Sequence, residues 1–261
     1  MDTKNKWALI LGGSSGLGLA SAKKLAQHGY HIIIIHRSPR IFEEKINQDF
    51  EEIKALGSQL INYNIDATNA KKRTEVINDI KSKFNSSEKI SVLIHSIAKG
   101  NLKPMVSDTE NELKQDDFNI TFQAMALSLY DWVKIIFNEQ LFAKDSRIIS
   151  FTSEGNHKVI PNYAAVSVAK VSLEALTKSI AVEFAPFGIK ANCIQAGVTE
   201  TDSLKRIPGY EKLINYSLKR NPNKRLTTTE DVANAVYLLC KKEATWINGC
   251  VIPVDGGEHL V

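Results

Sequence analysis

The chain has 261 residues, of which 43% are apolar and 24% charged, with a formal net charge of +4. That length suffices for one large α/β domain with a sizeable core. The charge is too small to argue for nucleic acid, although it suits an anionic cofactor or substrate. Lys and Arg are scattered, as on a solvated surface. The three cysteines, Cys193, Cys240 and Cys250, lack metal-ligand spacing, so no metal site is expected. Their odd count fits reduced thiols in a cytosolic protein. Cys193 lies in the apolar run IKANCIQ and reads as buried packing.

The N-terminal MDTKNKWALILGG moves straight from polar residues into a strand, without the apolar core of a signal peptide. The longest aliphatic run, Ile32 to Ile35, is far too short to span a bilayer. A cytoplasmic protein without a membrane segment is expected. Short aliphatic runs then alternate with helix-length stretches. WALIL precedes a helix over GLASAKKLAQHG that closes at Gly29, a C′ glycine. HIIII is followed by a charged helix from Phe42 to Leu56. QLINYN precedes a helix from Asn69 to Phe84, with Thr68 or Asn69 available as its cap. ISVLIH leads to a long helix from about Asp116 to Phe137, and RIISF to another from Tyr163 to Phe184 that stops near Pro186 and Gly188. IKANCIQ and CVIPV complete seven strands. Their near-continuous apolar character suits a sheet buried on both faces. The alternation predicts a doubly wound parallel α/β sheet with right-handed crossovers. No linker or repeat divides the chain, so residues 1–261 read as a single domain. The segment from Thr199 to Thr228, broken at Pro208, Gly209 and Pro222 and placed after a strand end, reads as a lid over a site.

The first strand runs into LGGSSGLG. Gly12, Gly16 and Gly18 give G-x3-G-x-G directly before a helix, where backbone amides and the helix N-terminus favour a pyrophosphate. The second strand ends in His36 and Arg37 with no acid, so Arg37 is positioned for a 2′-phosphate and NADP(H) is favoured. A plain surface arginine is the alternative. Asp66, after the third strand, could accept from an adenine amino group or cap the next helix.

Tyr163 and Lys170 lie seven positions apart at the start of an apolar-periodic segment. Seven steps of about 100° bring their side chains to one helix face. A phenol beside an ammonium can deliver a proton to a developing oxyanion, and the ammonium is expected to lower the phenol pKa. Four positions before Lys170 stands Val166, which has no proton to give.

At these residues the chain resembles the short-chain dehydrogenase/reductases over nearly its full length. The matching pieces are LGGSSGLG, Asn119 in DFNI, Ser153, the Tyr163/Lys170 segment, QAGVTET and the closing VDGG. The resemblance implies a Rossmann-type seven-stranded sheet in a three-layer α/β/α sandwich, and a homotetramer or dimer. Ordinary carbonyl reductases of this superfamily carry Tyr four before Lys. The seven-residue spacing, HSIA within Ile94 to Lys99, and IPNY at Ile160 to Tyr163 resemble the enoyl-acyl-carrier-protein reductases. Ser153 replaces the second Tyr of the common bacterial type, and the glycine spacing differs from theirs. Both departures resemble the NADPH-using third type (FabL-like), as does TETDSLKRIPGYEKLINYSLKRNP.

The resemblance implies reduction of trans-2-enoyl thioesters, with Tyr163, Lys170, Ser153 and Asn119 as catalytic residues. It implies cofactor contacts from Gly12, Ser14, Ser15, Gly16, Leu17, Gly18, His36, Arg37, Asp66, Ser96, Lys170, Gly197, Val198, Thr199 and Thr201. Ser153 could instead be a turn former, and Asn119 an ordinary polar helix residue. Leu204, Ile207, Tyr210, Leu213, Ile214 and Leu218 could form an amphipathic helix over an acyl chain, or a packed surface helix. Lys205, Arg206, Lys212, Lys219, Arg220, Lys224 and Arg225 form a basic rim that would steer an acidic acyl carrier protein, or are simply solvated. A carbonyl or 3-oxoacyl reductase, with Tyr163 or Ser153 as donor, is the rival enzyme, and Val166 argues against it. A non-catalytic NADP(H)-binding regulator is disfavoured by the intact Tyr, Lys and Asn set.

Overall fold

The structure is a computed structural model that describes residues 6–261; the polar N-terminal stretch Met1–Asn5 lies outside them. Seven strands form one sheet in the order β3-β2-β1-β4-β5-β6-β7, and every pair is parallel. They are β1 (Lys6–Leu11), β2 (His31–His36), β3 (Leu60–Asn64), β4 (Lys89–His95), β5 (Phe142–Ser153), β6 (Ile189–Ala196) and β7 (Val251–Val254). The order reverses between β1 and β4, and that switch point opens a crevice at the carboxyl ends of the strands.

The layers follow from side-chain alternation along the strands. Trp7, Leu9 and Leu11 of β1 face one core, where the sheet meets α3 (Ala70–Lys83), α5 (Ser128–Asn138) and α6 (Ala164–Glu183). Ala8 and Ile10 face the other, against α1 (Gly16–Gln27), α2 (Glu43–Ala55) and α9 (Thr229–Leu239). This is the Rossmann-type α/β/α sandwich, and its two-sided burial explains the unbroken aliphatic strands. Cys193 is buried in β6. At Gly29 (φ 82°) the α1 terminus closes through bonds from Gly29 and Tyr30 to Ala26 and Leu25, a left-handed C-terminal cap. Asn69 caps α3, its side chain accepting from the Lys72 amide.

Three elements differ from expectation. The long helix expected from Asp116 to Phe137 is α4 (Gln115–Phe122), a π-helical segment (Gln123–Leu127) and α5. Together they span Gln115–Asn138 and are long and apolar enough to cross a membrane by length and composition, but Ala126, Leu129, Trp132, Val133 and Ile136 pack into the first core. Tyr163 stands at the N-cap position of α6 with φ −108° and ψ 2°, one residue outside the helix. The amphipathic helix expected to hold Leu204 to Leu218 is two, α7 (Asp202–Lys205) and α8 (Tyr210–Arg220), with Pro208 and left-handed Gly209 (φ 77°) between them.

Candidate active site

The glycine loop is a cradle from which side chains are excluded. Gly12 has φ 83°, and a Cβ there would lie 2.4 Å from the Ser96 carbonyl oxygen; one on Gly18 would lie 2.3 Å from the Gly12 carbonyl oxygen. Ser15 is extended and makes no side-chain cap bond, so the first-turn amides of α1, at Gly16, Leu17 and Gly18, face the crevice without a side-chain acceptor. That arrangement fits a pyrophosphate. The side chain of Thr201 lies over the loop, its Cγ2 3.6 Å from where a Gly16 Cβ would be, while its hydroxyl accepts from the Leu204 amide and caps α7. Gly197 backs this wall, since a Cβ there would strike the Thr227 hydroxyl at 2.3 Å. Thr199 bridges to Thr227 and donates to the Gly197 carbonyl, with Val198 between them.

At the end of β2, Arg37 donates to Asp66 at 2.5 Å. Asp66 also accepts from the Thr68 amide and hydroxyl at 3.0 and 2.6 Å, and Lys99 stands 3.4 Å away. Burial alone would raise the Asp66 carboxyl, but bonds from Thr68 and Arg37, with the Lys99 charge, hold it well below the usual carboxylate range. The capping alternative for Asp66 is corrected: Asn69 caps α3, and Asp66 closes a turn on Thr68. Ser38 was not anticipated. It meets Ser14 at 3.1 Å and His36 Nδ1 at 3.0 Å, and its amide donates to Asn64. A hydroxyl directly after Arg37 was the signal for it in the sequence. Burial keeps His36 below the usual imidazole range.

Deeper in the crevice, the Tyr163 hydroxyl lies 3.3 Å from Ser153 Oγ at the end of β5. Lys170 is buried on α6 and donates to the Phe151 carbonyl at 2.6 Å. Burial pulls its amine down to about 8, partly opposed by Cys193 and Glu174. Burial pushes the Tyr163 phenol up, against the Ser153 hydrogen bond. The expectation that Lys170 lowers this pKa is therefore corrected, because the Lys170 ammonium turns toward Phe151 and desolvation dominates the phenol.

Asn119 is also corrected. It is exposed on α4, while Thr121, two residues on, is buried. Two helical steps separate their directions by about 200°, and Thr121 is the one turned inward. Its hydroxyl donates to the Asp117 carbonyl and accepts from the Asn101 amide. Val166 packs with Ala124, Met125 and Ala169 in a small apolar cluster that Tyr163, Leu102 and Ile97 join. A Cβ on Gly100 would lie 2.5 Å from Val166 Cγ2 and 2.9 Å from Met125 Sδ. The loop after β4 thus seals the slot at Val166. Ser96 of this loop was expected in the site, but the packing of Gly100 on Val166 was not.

Beside the π-helical segment, the Ser128 hydroxyl donates to the Ala124 carbonyl at 2.8 Å, so its oxygen accepts from His95 Nε2 at 2.8 Å. His95 is fully buried. Burial and the Lys170 charge push its pKa down to about 3 from an ordinary 6.5. The unfolded chain takes up this proton near 6.5 and the folded chain refuses it. Stability therefore falls as pH drops below 6.5, by up to about 1.4 kcal/mol per unit. Urea unfolding at pH 7 and pH 5 is expected to show this loss, and His95→Gln to flatten the slope. Equal slopes in the two proteins would count against a buried neutral His95.

A glycine cradle at a βα switch point, with a Tyr and a Lys below it, defines a nicotinamide-dinucleotide oxidoreductase of the short-chain class. The profile of the family described as Enoyl-(Acyl carrier protein) reductase matches residues 12–259, and the chain belongs to that family within the short-chain dehydrogenase/reductase superfamily. It is 29% identical to an Enoyl-[acyl-carrier-protein] reductase [NADH] FabI of Aquifex aeolicus, over 99% of this chain and 93% of that protein. It is 27% identical to an uncharacterized oxidoreductase of Thermotoga maritima over the whole of both. The crystal structure of the enoyl-[acyl-carrier-protein] reductase (NADH) from Aquifex aeolicus VF5 superimposes with a TM-score of 0.84 at 25% identity, covering 99% of this chain and 98% of that one.

Proposed function

We propose that this chain reduces the C=C bond of trans-2-enoyl thioesters with NADPH, as an enoyl-acyl-carrier-protein reductase of the FabL-like type serving fatty acid synthesis. One observation carries the reading. Tyr163 holds its hydroxyl in the crevice from the α6 N-cap, while the slot of the ordinary carbonyl-reductase donor is a buried valine sealed by Gly100 and Met125. The residue at 166 offers no proton, and the packing leaves no room for a phenol there.

Bound NADPH supplies a hydride to the β-carbon of the enoyl group. Tyr163 then hydrogen-bonds the thioester oxygen, where enolate charge develops, and a proton from solvent, taken up at the α-carbon, completes the saturated thioester. Ser153 orients the phenol by sharing its hydrogen bond. Lys170, which donates to the Phe151 carbonyl, would meet the nicotinamide ribose hydroxyls. Half-buried Ile97 and Leu102, backed by the buried Val166 and Met125, give the reacting carbons an apolar wall and exclude water. In this reading residues 1–261 act as a single domain and the segment 199–228 covers the acyl chain, a role that the half-buried Leu213, Ile214 and Leu218 of α8 support.

Of the basic rim, Lys205 pairs with Glu200 and Arg225 with Asp231. Arg206, Lys212, Lys219 and Lys224 are exposed, and these are the charges that would meet an acidic acyl carrier protein. A cytoplasmic homotetramer acting on acyl thioesters, with no nucleic acid or membrane partner, completes the proposal.

The Aquifex aeolicus enzyme named above carries NADH in its name, so the cofactor reading rests on this chain's own residues. Arg37 at the end of β2 supports NADPH, with Ser38 and Ser14 adjacent as hydroxyl donors. Arg37→Ala is expected to lower kcat/KM for NADPH about 10- to 100-fold, the scale of a charge-assisted hydrogen bond, and to leave NADH nearly unchanged. Steady-state kinetics with both cofactors reads this directly. The reaction itself is tested by NADPH oxidation with crotonyl-CoA and with acetoacetyl-CoA. Faster turnover of the ketone would overturn the assignment.

A further inference from the structure

Arg220, the last residue of α8, is buried yet touches none of the groups assigned to chemistry. Its guanidinium is held by two carboxylates from separate parts of the chain. Glu154 receives both terminal nitrogens, one of them at 3.1 Å, and Glu258 in the C-terminal turn accepts at 2.9 Å. Tyr216, one turn back on α8, covers the guanidinium with its ring at 5.2 Å. Beside it, Asn221 donates to the Asp255 carbonyl at 2.8 Å. The C-terminal end of α8 is thus fixed. Its N-terminal end begins at Gly209, where a Cβ would meet nothing within 4 Å.

Glu154 is the residue immediately after Ser153 and opens the 3-10 turn Glu154–Asn156. This turn is the wall behind the tyrosine. A Cβ on Gly155 would lie 2.8 Å from Tyr163 Cε1 and 3.1 Å from its Cδ1, so bare backbone packs on the ring. The far end of the turn is tied to α6, where Asn156 donates to Glu174, which also accepts from Thr152 at 2.7 Å. One side of the tyrosine is set by Ser153 and the other by Gly155, and both neighbour the residue that Arg220 holds.

We propose that Arg220 is a positioning residue that couples α8 to Tyr163 through the Glu154–Asn156 turn. The seating of the helix over the acyl chain thereby sets the place of the phenol; this inference rests on the enoyl reductase reading for its substrate, not for its geometry. Compared with a well-packed apolar pair, a buried ion pair adds little net stability because desolvation offsets the attraction, and among the described residues Arg220 Nε and Glu258 Oε2 have no hydrogen-bond partner. The consequence of the clamp is therefore orientation. A displacement of about 1 Å at a reacting group costs about 100-fold in rate, so a loosened turn is read in turnover.

The test uses the full chain with 3-fluorotyrosine at its seven tyrosines, the Tyr163 fluorine resonance being identified by its loss in Tyr163→Phe. Arg220→Met and Glu154→Gln are each expected to move the Tyr163 resonance in the cofactor-free protein. Only Tyr216, which stacks on Arg220, should move with it in Arg220→Met. Both variants are expected to lower kcat about tenfold or more while NADPH affinity, from fluorescence titration, stays within about twofold. Arg220→Lys should recover part of kcat, and the double variant should be no slower than the slower single one. An unmoved Tyr163 resonance in both variants, or a kcat loss matched by equal losses of NADPH affinity and Tm, overturns the proposal. If Arg220→Met fails to fold, Glu154→Gln carries the test, because it leaves the Arg220–Glu258 pair in place. A moved resonance in a protein that reduces no enoyl thioester would uphold the coupling and refute the substrate. Enoyl turnover with an unmoved resonance would do the reverse.

Discussion

Replacing Tyr163 by Phe is expected to lower kcat for enoyl reduction about 100- to 1,000-fold, the usual loss when a donor to a developing oxyanion is removed. The ring that packs on Gly155 and joins the Val166 cluster is retained. Only the hydroxyl and its bond to Ser153 are lost. NADPH affinity should therefore remain within about twofold, and Tm should change little, since a partly solvated hydrogen bond contributes about 0.5–1.5 kcal/mol. Steady-state kinetics beside a cofactor titration separates the two effects. Undiminished turnover of every enoyl substrate would remove Tyr163 from the reaction. Ser153→Ala should cost less, because Ser153 acts on the substrate through Tyr163.

The glycine loop offers the second large effect. Gly12→Val places a Cβ against the Ser96 carbonyl at 2.4 Å, at a residue whose φ is 83°. The obstacle is backbone, so no side chain can turn aside, and the ends of β1 and β4 must separate. Backbone strain alone costs about 1–3 kcal/mol, and the steric overlap adds to it. NADPH binding is expected to weaken at least about 100-fold, with a lower Tm. Gly57→Val is the matched control. It has the same φ of 83°, but nothing lies within 4 Å of its Cβ. It should lose stability through backbone strain and keep cofactor affinity. Equal losses of affinity in the two variants would show that close approach at Gly12 is not what the cradle requires.

The fold was legible because each strand is buried on both faces, and an aliphatic run such as Ile32–Ile35 fits little besides a buried strand. The doubly wound parallel sheet and the glycine cradle followed from the same pattern. Features that depend on a few degrees of backbone, or on a partner far along the chain, were not legible. The π-helical segment 123–127 leaves the apolar periodicity of its helix almost unchanged, so nothing in the spacing marks it. Asn119 and Thr121 lie two positions apart, and only the rotational phase of α4 decides which is buried. Tyr163 falls one residue outside α6, where helical spacing no longer fixes its direction. The relation of Lys170 to Tyr163 was misjudged because the Phe151 carbonyl, which takes the ammonium, carries no mark in the sequence. Arg220 read as one more charge on a basic rim; its carboxylate partners lie 66 and 38 positions away.

The central claim is that the crevice reduces C=C and not C=O. The most direct measurement offers the purified chain equimolar crotonyl-CoA and acetoacetyl-CoA together, with NADPH carrying deuterium at the transferred position, and identifies products by mass spectrometry. Butyryl-CoA with one deuterium at C3 is expected to be the dominant product, and Tyr163→Phe to suppress it. Predominant 3-hydroxybutyryl-CoA labelled at C3 would contradict the claim and assign the site to carbonyl reduction.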